Sequence, residues 1–255
     1  MRRRRGVAGL TQAQLGELVF CSDSQASAIE TGTKAPNPPY LTAVDKALNT
    51  GGQFATLWEE LVKDDDAPVW LREWLGQIER EATALRWYEH SFVPGLLQTE
   101  AYARATFRAA GTPLSQLDQR VAARMQRQAV LDRDPSPRLF VVLDEMVLRR
   151  QCGGPDVMAE QVEHPLSCAE QPHIRMQIVP LSAGIYSGLA GAFILADLPD
   201  GSRAGCTDHQ LESQTTGQPD PVARLALIWD AVRAQALPLG QSLDVLKEAA
   251  KTWTN

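Results

Sequence analysis

The side chains best suited to recognition chemistry crowd into the first fifth of this 255-residue chain. Arg2, Arg3, Arg4 and Arg5 follow Met1 without a break, and Lys34 adds an ammonium group. Such cations neutralise phosphates without reading sequence, whereas short hydroxyl, amide and carboxylate side chains reach base edges. Ser22, Asp23, Ser24, Gln25 and Ser27 are of that second kind. Covalent and metal chemistry find weaker footing. Ser187 precedes Gly188 without the rest of a Gly-x-Ser-x-Gly elbow, and Gly188-Leu189-Ala190-Gly191 reads as an ordinary strand connection. Asp144 and Glu145 are adjacent carboxylates at a strand end, with nothing to fix the separation that acid–base work requires. Cys206 and His209, with His164 and Cys168, are zinc-type donors that lack the context of a finger. His90 and His173 read as surface or satisfied core residues. The expectation is therefore a protein that is not an enzyme, with no metal and no cofactor.

The elements that position the N-terminal side chains can be read from caps and stripes. Thr11 caps a helix whose Leu15, Leu18 and Val19 form one apolar stripe. After a short break Ser22 caps a second helix, with Gln25 three residues on as in a capping box, and Gly32 closes it. Gly16 supplies the small residue where the two helices cross, while Ala26 and Ile29 face the first helix. Asp23, Ser24, Gln25, Ser27 and Ala28 are left on the outer face of the second helix, as in a recognition helix that enters a major groove. The competing reading is a plain helical hairpin with a solvated polar face.

Gly9-Leu10-Thr11-Gln12 and Ser27-Ala28-Ile29-Glu30-Thr31-Gly32, followed by Lys34 and Pro36, resemble the XRE-type, or Cro/lambda-repressor-like, helix-turn-helix family. The resemblance implies that Gln12 touches a phosphate, that Ser24, Gln25 and Ala28 approach bases, and that Glu30 holds a basic partner within the domain. The sequence departs from the family at Phe20, where the turn usually has Gly, and at Ala26, where a larger aliphatic is usual. The family's first helix is also expected to start before Arg2.

Further along, Trp70-Leu71, Glu79-Arg80-Glu81-Ala82, Tyr88-Glu89 and Val93 to Ala103 resemble the long C-terminal domain of actinobacterial antitoxin-like transcriptional regulators. Val179-Pro180 with Gly184, and Leu211-Glu212-Ser213, extend that resemblance. It implies a regulator paired with a small protein encoded nearby. The alternative is a small-molecule-binding or enzymatic C-terminal domain with a vestigial DNA-binding head; Trp70, Trp74 and Trp87 would wall its pocket, and Arg86, Glu89 and Gln98 would supply polar groups. Core packing is the simpler reading of those tryptophans.

The expected organisation is a helix-turn-helix domain with trailing helices over 1–62, a linker over 63–68 at Asp64-Asp65-Asp66, and an α+β regulatory or partner-binding domain over 69–255. The fold class is thus a mainly α N-terminal helix-turn-helix domain plus an α+β C-terminal domain. A helix is predicted over Val69 to Tyr88, and strands over Leu139–Leu143, Met176–Val179 and Phe193–Leu195. Further helices are predicted over Leu41–Leu48, Phe54–Val62, Thr99–Ala110, Leu117–Leu131, Pro221–Ala236 and Leu239–Trp253. A helix over Val157–Ala169 must kink or divide at Pro165. Helices before strands and strands before helices argue against a regular βαβ alternation. Net charge is −6, but residues 1–50 carry +2 and the remainder −8, so double-stranded DNA is the expected partner of the N-terminal segment only. Four cysteines without paired spacing, no apolar run of membrane length and no leader pattern after the arginines give a cytoplasmic expectation, and the chain is expected to act as a homodimer.

Overall fold

A computed structural model describes residues 1–19, 21–30, 36, 38–56, 74–207 and 214–254. The chain divides into two compact units, Met1–Ala67 and Pro68–Asn255.

The first unit is helical: α1 (Arg2–Val7), α2 (Gln12–Leu18), α3 (Asp23–Glu30) and α4 (Pro38–Ala47). Gly9 has φ +68° in the α1–α2 turn, a conformation that costs glycine little. Leu15, Val19, Tyr40, Leu41, Val44 and Phe54 form the core, flanked by Ile29 and Cys21. α4 starts earlier than its sequence suggests, because Pro38 and Pro39 belong to its first turn rather than preceding it. Proline is pre-set for that position, where its missing N–H would have no intrahelical partner. Residues 53–56 are helical. The rest of the predicted Phe54–Val62 helix, the 63–68 linker, Phe20 and the Gly32 cap lie outside the described residues.

The second unit is built on a six-stranded sheet in the order β3-β2-β1-β4-β5-β6. β1 (Ala84–Glu89), β2 (Arg138–Asp144) and β3 (Ile174–Val179) run parallel, while β4 (Phe193–Asp197), β5 (Arg203–Thr207) and β6 (Gln214–Thr216) add on in antiparallel fashion. Helices α5 (Glu100–Ala109) and α6 (Leu114–Arg127) link β1 to β2, and α7 (Pro155–Cys168) links β2 to β3. Helices α8 (Pro219–Gln235) and α9 (Leu239–Thr254) close the chain. Alternate strand residues serve opposite faces. Leu85, Trp87, Val141 and Met176 join Met158 and Val162 of α7 and Leu246 of α9 in one core. Tyr88, Val142, Phe193 and Leu195 meet Val222, Trp229 and Val232 of α8 in the other.

The architecture is α+β, but half of its sheet is made of helix-linked parallel strands. The helix predicted over Val69 to Tyr88 hides this: residues 74–81 are helical, and the chain then breaks at Ala82-Thr83 into β1. β1 is central and buried on both faces, so it shows no polar–apolar alternation to betray a strand. α7 runs through Pro165 as one helix; only Leu166, Ser167 and Cys168 follow the proline, so the ladder loses little. The open edge of β3 is covered: Leu237 N donates to Ile178 O (2.8 Å), and Ile178 N donates to the buried Ser242 Oγ (3.0 Å). Among the described residues, no helix is long and apolar enough to cross a membrane.

Candidate nucleic-acid interface

One carboxylate ties the first three helices together. Arg5 donates from Nε to Glu30 Oε1 (2.7 Å) and from Nη2 to Glu30 Oε2 (3.0 Å), while its Nη1 donates to Leu10 O (2.7 Å). Gln12 Nε2 adds a fourth bond, to Glu30 Oε2 (2.8 Å). The Glu30 side chain is 1% exposed and that of Arg5 13%. The last residue of α3 is thereby joined to α1 and to the start of α2. Burial would push the Glu30 carboxyl up, but hydrogen bonds from Arg5 and Gln12, with the Arg5 charge, hold it below its usual value. Its hydrogen bond to Glu30 raises Arg5 in turn.

The helix starts are fixed locally. Thr11 Oγ1 accepts from Gln14 N (3.2 Å) and Gln14 Oε1 accepts from Thr11 N (2.8 Å), a reciprocal capping box. Ser22 Oγ accepts from Gln25 N (3.3 Å) at the head of α3. Leu15, Gly16 and Ala26 are buried beneath the pair. Asp45 belongs to no motif of the sequence. It is buried, and accepts from Phe54 N (2.8 Å), Ala55 N (2.7 Å) and the Thr50 hydroxyl, capping the turn after α4. No short-range pattern signals this, because Gly51-Gly52 lies between carboxylate and amides.

The proposed phosphate and base contacts fall into three groups. Arg2, Arg3 and Arg4 are exposed on α1, where Arg4 Nη2 also donates to Gln53 Oε1 (3.2 Å). Arg5 and Gln12 have internal partners on Glu30, and the basic partner expected for Glu30 is Arg5. Ser22 is exposed, and Gln25 and Ser27 are half-buried on α3. Asp23, Ser24 and Ala28 share the α3 backbone, but their side chains, and all of Lys34, lie outside the described residues.

In the second unit, polar groups converge beyond the carboxyl ends of β1 and β2. The Tyr88 and Tyr186 hydroxyls are 2.8 Å apart, and Tyr186 donates to Asp144 Oδ2 (2.6 Å). Asp144 Oδ1 accepts from Met146 N (2.8 Å), and Glu145 Oε2 from Leu181 N (2.9 Å). Asp144 and Glu145 thus act as anchors for the following chain, not as a free pair. Burial pushes Tyr88 up to about 12. His90 stacks on Tyr88 with centroids 6.2 Å apart, and burial lowers it. His90 and His173 are partly exposed, and His90 Nδ1 and His173 Nε2 are buried atoms that make no hydrogen bond with any described residue. His164 Nε2 lies 3.5 Å from Cys168 Sγ, and Cys206 is buried in β5. Among the described residues no group of three or more His, Cys, Asp or Glu side chains is placed to hold a metal ion, and His209 lies outside them.

Residues 1–57 match the model of a helix-turn-helix domain. Residues 73–248 match that of a domain of unknown function, DUF5753. The chain belongs to the DUF5753 family. It is a DNA-binding regulator whose helix-turn-helix precedes the DUF5753 unit. No curated protein and no solved structure matches it.

The structure explains the block Val93 to Thr99 of the DUF5753 unit. This segment is buried without being a regular element apart from one turn, Gly95–Leu97, so its backbone needs side-chain partners. Three glutamines supply them. Gln98 Nε2 donates to Val93 O (2.7 Å), Gln128 Nε2 to Gln98 O (2.7 Å) and Gly95 O (3.1 Å), and Gln161 Nε2 to Leu97 O (2.7 Å) while its Oε1 accepts from Thr99 N (2.8 Å). Arg124 Nη1 donates to Gln98 Oε1 (2.8 Å); burial and the Arg127 charge lower Arg124 to about 10. A Cβ at Gly95 would meet Arg124 Nη1 at 3.1 Å. Glu79 accepts from Arg127 Nε (2.5 Å), Arg127 Nη2 (2.6 Å) and Trp74 Nε1 (3.3 Å). Trp74 and Trp87 belong to the core, Arg86 pairs with Asp197 (2.9 Å), and Trp70 lies outside the described residues.

Proposed function

We propose that the chain is a sequence-specific, antitoxin-like transcriptional regulator of the XRE type. Its α3 reads bases and its α1 arginines hold phosphates. The observation that carries this reading is the clamp on Glu30, which fixes the end of α3 against α1 and the start of α2 and so presets the angle at which α3 is offered to a groove. Ser24, Gln25 and Ala28 face base edges in this reading; Arg2, Arg3, Arg4 and Lys34 contact phosphates. Arg5 and Gln12 act mainly through Glu30. The regulator works in the cytoplasm as a homodimer without catalytic activity, and residues 68–255 receive a small protein encoded nearby, as the antitoxin-like resemblance implies.

Salt titrations on DNA from upstream of its own gene test the reading. Arg4→Ala should weaken operator and random DNA alike and lower the salt slope by about 1. Gln25→Ala should cost about 1–3 kcal/mol on the operator and little on random DNA. Equal loss of Gln25→Ala on both DNAs would overturn the assignment of α3 as the reading helix. Co-purification of the neighbouring protein with residues 67–255 tests the partner, and its retention by residues 1–66 alone would place the partner on the wrong unit.

A further inference from the structure

Helix α7 carries acid without base. Between Arg150 and Arg175 the chain has Asp156, Glu160, Glu163 and Glu170 but no lysine or arginine. Asp156, Glu160 and Glu163 are exposed, and their spacing sets them on one face of α7 over about 10 Å. Unlike Glu100, Asp118 and Glu248, these three have no ion-pair partner among the described residues.

Glu163 is also part of the wall of a groove of about 540 Å³ between α7 and α9. Leu166 and the buried Ala250 give the groove an apolar lining. The α9 wall carries Asp244 and Glu248 together with Lys247 and Lys251, so its charges balance, and Lys251 Nζ donates to Glu248 Oε1 (2.6 Å). The α7 wall has no cation to balance it, and Glu160 and Asp156 continue its row of acids toward the start of the helix.

We infer that this groove receives a basic amphipathic helix of a protein partner, a proposal that rests on the reading of residues 68–255 as the partner-binding unit. The apolar lining suits the apolar stripe of such a helix. The acid row, at helical spacing, suits lysines or arginines that recur at the same spacing along its flank. Charge selects this occupant over the others. A second copy would bring the same patch through a two-fold axis, five acids against two lysines, so repulsion prevails. DNA is repelled by the same carboxylates. An uncharged helix would cover Glu163 and leave its charge without a partner.

Isothermal titration into the full chain tests this with two probes: the purified small protein encoded nearby, and a synthetic helical peptide with leucines on one face and lysines flanking them at intervals of three and four. A scrambled peptide of the same composition is the control for the second probe. The wild type should bind the helical peptide about tenfold or more tightly than the scrambled one, and Glu160→Lys with Glu163→Lys should lose about tenfold or more. Asp220→Lys with Asp230→Lys, the same change of charge at exposed positions of α8, should keep the affinity. Thermal unfolding should show both double variants folded. Equal binding of the two peptides, or equal loss in the two double variants, reduces the effect to bulk charge and overturns the proposal. A helical peptide that does not bind, or that the α7 substitutions leave unaffected, overturns it too. The nearby protein separates the two readings. If it binds wild type and the α7 variant alike and the peptide does not discriminate, the unit keeps its partner and the groove loses its role. If it binds neither while the peptide discriminates, the groove stands and the nearby protein is not its occupant.

Discussion

Replacing Glu30 by alanine should destabilise the helix-turn-helix unit before it tells anything about base reading. The substitution removes three hydrogen bonds at once and leaves the Arg5 guanidinium with Leu10 O as its remaining partner among the described residues. Losing an exposed pair costs about 1 kcal/mol or less, and removing one member of a buried pair about 3–5 kcal/mol. With Glu30 1% and Arg5 13% exposed, the site lies between these limits, and a loss of about 2–3 kcal/mol follows. A unit of this size rarely has more than about 3–5 kcal/mol to lose, and each kcal/mol moves its melting temperature by about 4–8 °C. The melting temperature should fall by about 8–24 °C, read by circular dichroism on the full chain, while the sheet-containing unit melts unchanged. Arg5→Lys should recover only part of the loss of Arg5→Ala, because an ammonium group cannot reproduce the bidentate fork. Arg4→Ala, by contrast, should change the salt slope without changing stability. Cooperative melting of Glu30→Ala within 2–3 °C of wild type (less than about 1 kcal/mol) would refute the view that this carboxylate holds the three helices together.

Other outcomes follow from the same structure. Glu30 titrates below its usual value of 4.5 in the folded unit, so its stabilising contribution is full above the ordinary carboxylate range and drains away as pH falls through its lower folded value. The melting temperature of wild type should therefore fall more steeply below pH 4.5 than that of Glu30→Gln, and parallel acid profiles would contradict this. Glu79→Ala should cost the DUF5753 unit about 3–5 kcal/mol, or about 6–20 °C, because it leaves Arg127 beside the buried Arg124; a loss in urea denaturation below about 1 kcal/mol would show that the pair contributes little. Gly188→Ala should cost about 1–3 kcal/mol by forcing Tyr88 and Tyr186 apart, and an unchanged melting temperature would mean that the two rings do not enclose Gly188.

Sequence patterns revealed the elements whose signals are local. The caps at Thr11 and Ser22, the strands around Val141, Ile178 and Leu195, and the closing helices each carry their periodicity or cap within a few residues. β1 was illegible because burial on both faces erases alternation, and because Trp74 and Ile78 set a helical spacing that Leu85 continues by coincidence. β5 and β6 gave no apolar run: Arg203–Thr207 contains Arg, Gly and Thr, and Gln214–Thr216 is wholly polar. In the candidate interface, residue type pointed to Arg5, and the family resemblance to Gln12, as DNA contacts alongside Arg2 to Arg4. Only three-dimensional proximity to Glu30 sets those two apart, since equal charges in a row carry no label for which one turns inward. Asp45, Ser242 and Gln161 carry no sequence signal for the same reason, because each satisfies backbone groups distant in sequence or on another element.

The placing of β1 between a parallel and an antiparallel neighbour also orders the birth of the protein on the ribosome. Ala84 pairs with Arg138 on one side and with Asp197 on the other, so the central strand waits for two later stretches of chain. At about 5–20 residues per second, roughly 6–23 s separate the synthesis of Ala84 from that of Asp197. The first unit, complete at Ala67, needs nothing from that stretch for the core described above. A nascent or prematurely ended chain thus carries a finished DNA-binding end on an unfinished sheet, whose unpaired β1 backbone and apolar faces are what chaperones and proteases engage. Translational pausing within the helices after β1 would prolong that exposed state, and the yield of soluble regulator should be most sensitive to codon choice there.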